Sequence, residues 1–378
     1  MSSNMTIAPR ATAGMSGMRA LADATLLPAG DGEARVIREA HRWYEHLISL
    51  WAPGVIEAAH DLGVFAILAD GALTHAELAG QLGTDPRATR VLLDGLYAYG
   101  LLERTWDTTG ALVYVLPPEA RECLLPDGLY SLAGKIGYDR QLAWNAWRNL
   151  ADSVRSGARD AGGAEQVNQI SESEYEALVQ GINFWAPPVV DILGSALEGL
   201  GWPAGERTTM LDVGCGTGLY SQLLLRRFPF LSAVGMDVQR VIPLAVKQSE
   251  RLNVMSRFSP VTRDFQNEEW GSGYGLVLFA NIFHLQTPES AGKLAQRAGE
   301  AVADGGYVAI VDHIIDDDLD GQSTQDRFFR LFAVSMLATG GGDAYSVTEY
   351  ETWLAAAGLR RVALLDTPMH RILLAARR

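Results

Sequence analysis

Gly214, Gly216 and Gly218 punctuate the decapeptide Thr209-Met210-Leu211-Asp212-Val213-Gly214-Cys215-Gly216-Thr217-Gly218. An apolar run enters the turn and the amphipathic segment Leu219–Arg227 leaves it, so the pattern predicts strand, glycine loop, helix. A missing Cβ lets the backbone turn sharply or approach a ligand. A loop that opens a helix also leaves free N–H groups for a nucleotide-like or carboxylate-bearing ligand. Spacing selects among such ligands. A dinucleotide fingerprint needs G-x-G-x-x-G, whereas here the third glycine comes one place early and Leu219 stands in its position. This disfavours an NAD(P)-dependent oxidoreductase.

G-x-G-x-G preceded by Leu211-Asp212-Val213 resembles the first motif of S-adenosylmethionine (SAM)-dependent methyltransferases. That resemblance implies SAM as methyl donor and S-adenosylhomocysteine as its product. The acids that follow suit such a donor. The second strand ends in Gly235-Met236-Asp237, with an acid roughly 20 residues past the loop, where it accepts hydrogen bonds from ribose hydroxyls. The third ends in Arg263-Asp264-Phe265, where Asp264 is expected to accept the adenine amino group while Phe265 lies against the base. Asp212 is expected near the donor's amino-acid moiety. Cys215 has no base beside it in sequence to mark it as a nucleophile.

The fourth strand delivers Asn281-Ile282-Phe283-His284. Doubly wound sheets bind ligands at the carboxyl ends of their strands, where the strand order reverses. If the first and fourth strands are neighbours there, His284 emerges beside the donor's reactive end. A phenol of pKa about 10 is mostly protonated at neutral pH, and an imidazole of pKa about 6.5 is well matched to removing that proton. His313 also follows a strand, among Asp312, Asp316, Asp317, Asp318 and Asp320. That stretch reads as a solvated acidic loop, and no metal site is expected.

These residues are carried by a chain of 378 residues, 48% of them apolar, enough for two or three compact units. A formal charge of −14 disfavours nucleic acid and anionic membranes as partners, because phosphate binding needs clustered Lys and Arg. Cys123 and Cys215 make neither a metal-ligand spacing nor a disulfide framework. No stretch approaches the ~18 apolar residues of a membrane span, and the N-terminal segment lacks the pattern of a secretory signal. A cytoplasmic protein is expected. Cations that are nearly all arginine, with lysine only at 135, 247 and 293, suggest a GC-rich bacterial genome.

Residues 1–33 read as a flexible tail. From Glu39 to Ala69 apolar residues recur at helical spacing, with Pro53-Gly54 expected to kink or split the helix. Thr74 and Glu77 form a capping box, and Asp85-Pro86 opens a further helix that runs to Tyr99-Gly100. Leu101–Arg104 and Leu112–Leu116 flank Asp107–Gly110 as a β-hairpin. Residues 34–125 therefore follow the order of a winged helix. Between His41 and Arg104 four arginines face eight acids, which argues against DNA. The apolar face carrying Leu47, Trp51 and Phe65 exceeds what so small a core needs, and a homodimer is expected through this domain.

Residues 126–200 read as a helical linker, interrupted by a Ser/Gly/Ala patch at 156–164. It contributes Asn183, Phe184 and Trp185 to a candidate acceptor pocket that Phe329, Phe332 and Met336 would complete. Residues 201–378 alternate strands with helices, which predicts an α/β, Rossmann-like domain with a mostly parallel sheet. Its expected strands are Met210–Val213, Ser232–Met236, Phe258–Thr262, Leu276–Asn281 and Tyr307–Asp312, then Arg361–Leu365 and Ile372–Ala375. The last two stand too close for a helical crossover and should be antiparallel.

Winged helix, helical linker and glycine motif together resemble the bacterial and plant small-molecule O-methyltransferases. In that family the N-terminal domain dimerises and helps to cover the partner's active site. A histidine after the fourth strand is the general base and an acid ending the fifth strand helps to hold it. Those positions match His284 and Asp312, and Trp144–Gly157 is similar to the family's Trp…Leu…Ser-Val…Gly helix. Three positions depart from the pattern. Leu285-Gln286 replaces the common Asp-Trp after the histidine, Ala280 replaces a cation, and Ala344 replaces a second acid, with Asp343 one residue off. The resemblance implies O-methylation of a small, phenolic or otherwise aromatic acceptor in natural-product assembly. The departures leave room for C-methylation of a phenol- or carbonyl-activated carbon. A non-catalytic winged-helix regulator is disfavoured by the acidic charge.

Overall fold

The computed structural model describes residues 32–157, 172–203, 205–317, 323–339 and 342–377. They fall into two compact units, one ending at Ile136 and the other beginning at Gly137. Most of the expected N-terminal tail, residues 158–164 of the small-residue patch, and Asp318 and Asp320 lie outside the described residues.

The first unit opens with helices Gly32–Ile48, Trp51–Leu62 and Val64–Leu68. The first break falls at Ser49-Leu50 and not at Pro53-Gly54. Pro53 instead sits in the first turn of the second helix, where no intrahelical N–H bond is lost. The Thr74–Glu77 capping box opens helix His75–Leu82. The Asp85 carboxylate accepts the Ala88 N–H at 2.8 Å to start helix Pro86–Ala98. β1 (Glu103–Trp106) and β2 (Leu112–Val115) form the antiparallel wing. β1 starts two residues later than its alternation suggested, because the Leu101 N–H closes the preceding helix on the Leu96 carbonyl and Leu102 is drawn into the core. Phe65 is also core, only 2% exposed, so it is not part of the outward apolar face. That face carries Trp43, Leu47 and Trp51, which are 61%, 68% and 51% exposed.

In the second unit, helices Trp144–Arg148, Leu150–Ser156, Glu172–Gly181 and Ala186–Gly199 precede a seven-stranded sheet. The strands are β3 (Thr208–Val213), β4 (Leu231–Asp237), β5 (Phe258–Thr262), β6 (Tyr274–Ala280), β7 (Val302–Asp312), β8 (Leu359–Asp366) and β9 (Arg371–Arg377). Their spatial order is β5-β4-β3-β6-β7-β9-β8. All pairs are parallel except those made by β9, which lies antiparallel between β7 and β8. Side chains alternate between the two faces. Leu211, Val277, Phe279 and Ile310 join one core, while Met210, Leu276, Leu278 and Ala309 join the other. The chain leaves β3 towards β4 and later returns on the opposite side to form β6. The carboxyl ends of these two neighbours therefore flank the place where strand order reverses.

Candidate active site

The turn after β3 is shaped by backbone conformation. Gly214, Gly216 and Gly218 take φ values of 67°, 56° and 71°, the left-handed region that side chains resist. A Cβ on Gly214 would also stand 2.4 Å from Ile282 Cδ1, so a side chain there would have to displace that methyl group. Asp237, ending β4 and 6% exposed, ties the loop down. Its carboxylate accepts the Gly216 N–H at 2.8 Å and the Val238 N–H at 2.7 Å. Burial raises its pKa and these two bonds oppose the rise. Each oxygen keeps lone-pair capacity for a further donor.

The other residues expected around the donor divide. Phe265 is brought to the loop, its Cε1 3.4 Å from where a Gly214 Cβ would stand. Asp264 accepts from the Gln266 N–H at 2.9 Å and from Asn267 Nδ2 at 2.7 Å, both within its own turn. Asp212 is buried and accepts a hydrogen bond from the Ser221 hydroxyl at 2.5 Å, from the helix that follows the loop. Burial pushes its pKa to about 7. Cys215 is buried as well, and burial drives its thiol well above the ordinary range, so it is a protonated filler of the loop. The Thr217 hydroxyl donates to Asn183 Oδ1 at 2.7 Å, joining the loop to the turn before helix Ala186–Gly199.

After β6 the chain turns through Asn281, with φ 61°, into the single helical turn Phe283–Leu285. His284 Nδ1 lies 2.7 Å from Asp312 Oδ1 at the end of β7. A carboxylate only accepts, so Nδ1 carries a proton, and in the neutral ring Nε2 would keep its lone pair. Asp312 also accepts the His284 N–H at 3.1 Å and the His313 N–H at 2.8 Å. Its complete burial would raise its pKa, but its interactions with His284, and then with His313, hold it well below the usual carboxylate range.

The departures from the family pattern have local counterparts. Gln286 fastens the turn by donating to the Ile282 carbonyl at 3.1 Å, while Tyr345 donates to the Gln286 carbonyl. The Asp343 N–H bonds the His284 carbonyl at 2.9 Å, and its carboxylate accepts the Ala344 N–H at 2.8 Å. Asp343 thus clamps the backbone of His284.

Of the pocket candidates, Phe332 stacks on His313 with ring centroids 3.6 Å apart and meets the His284 ring edge-on at 5.0 Å. Trp185 meets His370 at 4.9 Å and Phe184 at 5.6 Å. Phe329 is fully buried, beneath the Arg371 guanidinium, and Met336 is half-buried on the helix that carries Phe332. His370 was not legible in the sequence, since no motif contains it. Its cue is its place before the last strand, because the Asp312–Arg371 register sets it beside His313, with ring centroids 4.7 Å apart. His370 Nε2 meets Asn281 Oδ1 at 2.8 Å, and Asn281 Nδ2 donates to the Tyr220 hydroxyl at 3.3 Å.

Burial lowers the pKa of both His313 and His370, with Asp312 opposing the shift and His284 adding to it. Both are then neutral in the fold, whereas the unfolded chain titrates near the ordinary value of about 6.5. Below that pH the unfolded state binds more protons, so stability is predicted to fall as pH drops from about 7 to 5.5. The check is Tm across that range against the His313→Phe, His370→Phe double variant. Identical pH slopes for the two proteins would refute the assignment.

A glycine cradle thus ends one strand, and a histidine–aspartate pair stands at the ends of the next two in the sheet. An O-methyltransferase domain matches residues 147–360 and an O-methyltransferase dimerisation domain matches residues 44–125. The chain belongs to this family and is a SAM-dependent methyltransferase. A relative, 3-hydroxy-5-methyl-1-naphthoate 3-O-methyltransferase of Streptomyces sahachiroi, is 27% identical over 319 residues, 83% of this chain and 87% of the relative. L-tyrosine C(3)-methyltransferase of Streptomyces lavendulae is 25% identical over 343 residues, 88% of this chain and 90% of the relative. The structure of human N-acetylserotonin methyltransferase in complex with SAM superposes with a TM-score of 0.75 at 20% identity, covering 93% of this chain and 99% of that one. No helix among the described residues is long and apolar enough to cross a membrane.

Proposed function

We propose that this enzyme O-methylates a phenolic hydroxyl on a small aromatic metabolite, with His284 as general base. The observation that carries the reading is the His284–Asp312 pair, held at 2.7 Å beside the glycine loop where strand order reverses. Asp237 would hold the ribose hydroxyls, Asp264 and Phe265 would flank the adenine, and the Gly214–Gly218 loop with Asp212 would take the amino-acid end. SAM, when bound, supplies a methyl group on a positively charged sulfonium. His284 Nε2 takes the hydroxyl proton as the acceptor oxygen attacks. Asp312 keeps the proton on Nδ1 and stabilises the imidazolium that forms. Phe332 and Trp185 give the acceptor an aromatic wall that excludes water.

The naphthoate O-methyltransferase and a tetracenomycin polyketide 8-O-methyltransferase of Streptomyces glaucescens support an aromatic acceptor and a place in bacterial natural-product assembly. The tyrosine C(3)-methyltransferase keeps a second reading in view, in which the same base ionises a phenol and the ring carbon takes the methyl group. Incubation with SAM and a panel of phenols, followed by NMR of the products, separates the two. Methoxyl signals are expected, and aryl methyl signals alone would replace the first reading by the second.

Asp237→Ala is expected to weaken S-adenosylhomocysteine binding by about 1–3 kcal/mol, the cost of leaving buried hydroxyls without an acceptor. Calorimetry showing unchanged affinity would remove Asp237 from the donor site. The dimerisation domain and the exposed face at Trp43, Leu47 and Trp51 support a homodimer. Light scattering at micromolar concentration should give twice the 40.9 kDa chain mass. A monomer there would count against it.

A further inference from the structure

Two turns meet over the glycine loop. A Cβ on Gly214 would stand 2.4 Å from Ile282 Cδ1 and 3.4 Å from Phe265 Cε1, so these two side chains converge on the same glycine. Phe265 comes from the turn after β5, and Ile282 from the turn after β6 that leads into His284. An amide pair joins the turns: Gln266 Nε2 donates to Gln286 Oε1 at 2.6 Å. The Ser290 hydroxyl, in the first turn of helix Pro288–Ala301, lies 2.8 Å from Gln286 Oε1 and 3.2 Å from Gln266 Oε1.

The chemistry of donors and acceptors fixes this pair in one orientation. The Ile282 carbonyl only accepts, so the Gln286 atom facing it at 3.1 Å is Nε2, and Oε1 is turned to Gln266. Gln266 must then offer its amide N–H. Gln286 is 7% exposed, and a bond to a buried amide is stronger than one in water. Each turn is also anchored at its backbone. Arg297 donates to the Phe265 and Gln266 carbonyls, each at 2.7 Å, and Trp270 Nε1 donates to the Phe265 carbonyl at 3.0 Å. In the other turn the Gln286 N–H closes on the Phe283 carbonyl at 3.0 Å. Those bonds fix each turn to its own surroundings, whereas the amide pair sets their spacing across the loop. A tryptophan at 286, the common residue there, would offer Gln266 no acceptor, so the pair belongs to this chain's own sequence.

We propose that Gln266 and Gln286 are positioning residues for SAM: their bond holds Phe265 and Ile282 together over Gly214 and so shapes the wall against which the adenine lies. This rests on the placement of Phe265 against the adenine. Because Gln286 follows His284 by two residues in one tight turn, the same bond ties the adenine side of the site to the histidine turn.

The test is calorimetric titration of the full-length enzyme with S-adenosylhomocysteine. Gln266 is exposed, and Ser290 still serves Gln286 Oε1 once Gln266 is replaced, so Gln266→Met should fold with an unchanged Tm. Its affinity is expected to fall about fivefold, the loss of one well-made hydrogen bond. Phe265→Ala should weaken binding by itself. In the Phe265→Ala and Gln286→Met backgrounds, adding Gln266→Met should cost less than about twofold, because the ring it positions or the partner it bonds is already gone. A merely structural role would give the same loss in every background. Gln266→Lys, which returns a donor to Gln286 Oε1, should bind within about twofold of wild type, and it stands in for Gln286→Met should that variant fail to fold. Unchanged affinity for Gln266→Met, a full loss that persists in either background, or no recovery with Gln266→Lys would each overturn the pair. Unchanged affinity for Phe265→Ala would remove the adenine placement and the pair with it. A weakened Phe265→Ala beside a silent Gln266→Met would remove the pair alone.

Discussion

His284→Ala is expected to lower kcat by about 10²–10⁴ while leaving S-adenosylhomocysteine affinity nearly unchanged, the signature of a lost acid–base group outside the donor site. The structure gives the reason at atomic level. Asp312 accepts from Nδ1 at 2.7 Å and from the His284 N–H at 3.1 Å, so ring orientation and tautomer are set before any acceptor arrives. Alanine removes the Nε2 lone pair and also leaves Asp312 buried with one fewer donor. The competing account is proximity alone, in which an already acidic acceptor is simply held in line with the methyl group. It predicts a small effect at His284 and a pH–rate profile that moves with the acceptor. Single-turnover rates with acceptors of graded acidity distinguish the two. A variant that retains more than about a third of wild-type turnover, far above the acid–base range, would remove His284 from the mechanism.

Asp326→Ala should destabilise the fold by about 3–5 kcal/mol, the cost of removing one partner of a buried ion pair, because Arg371 then keeps only the exposed Asp366 as a counter-charge. Arg371 and Asp326 side chains are 6% and 7% exposed, and they meet through two bonds at 2.6 and 3.2 Å. Arg371 also donates to the Ile314 carbonyl at 2.8 Å and to Asp366 at 2.9 Å. Burial would raise the Asp326 pKa, but Arg371, Ser323 and the Asp316 N–H outweigh it and bring it to about 2. A depressed carboxylate contributes stability that is present above its ordinary value of about 3.9 and lost as pH falls towards 2. The pair fastens the start of β9, next to His370, to helix Thr324–Thr339, which carries Phe332. Urea denaturation should therefore show a lower midpoint with an unchanged slope. The double change Asp326→Leu with Arg371→Met should recover much of the loss, since apolar replacement of a buried pair is often neutral. A loss below about 1 kcal/mol for Asp326→Ala would show that the pair is solvated or dispensable.

Local chemistry explains which parts were readable in advance. The capping box at Thr74, the N-cap at Asp85 and the glycines of the β3 turn act over three or four residues, so their signals survive in a one-dimensional string. The Pro53-Gly54 pair misled because a proline that breaks a helix interior is also a favoured residue in a first turn, and only the register of the helix distinguishes them. Phe65 misled for a related reason. A helical apolar stripe does not say which of its members a hairpin and two further helices will cover.

The sequence by itself determined the local elements: strand, glycine loop and helix, an acid ending the second strand, and a histidine just after the fourth. Each is a short segment whose backbone chemistry is its own. Only the tertiary structure decided what meets that histidine. Asp312 reaches His284 because β6 and β7 pair in parallel with a fixed register, and Asp343 is used on the His284 carbonyl. His370 reaches His313 because β9 inserts antiparallel beside β7, bringing together residues 57 positions apart in the sequence. Sheet register is a collective result of packing two apolar faces at once. No local pattern encodes it, and the contact between His313 and His370 exists only once the sheet has closed.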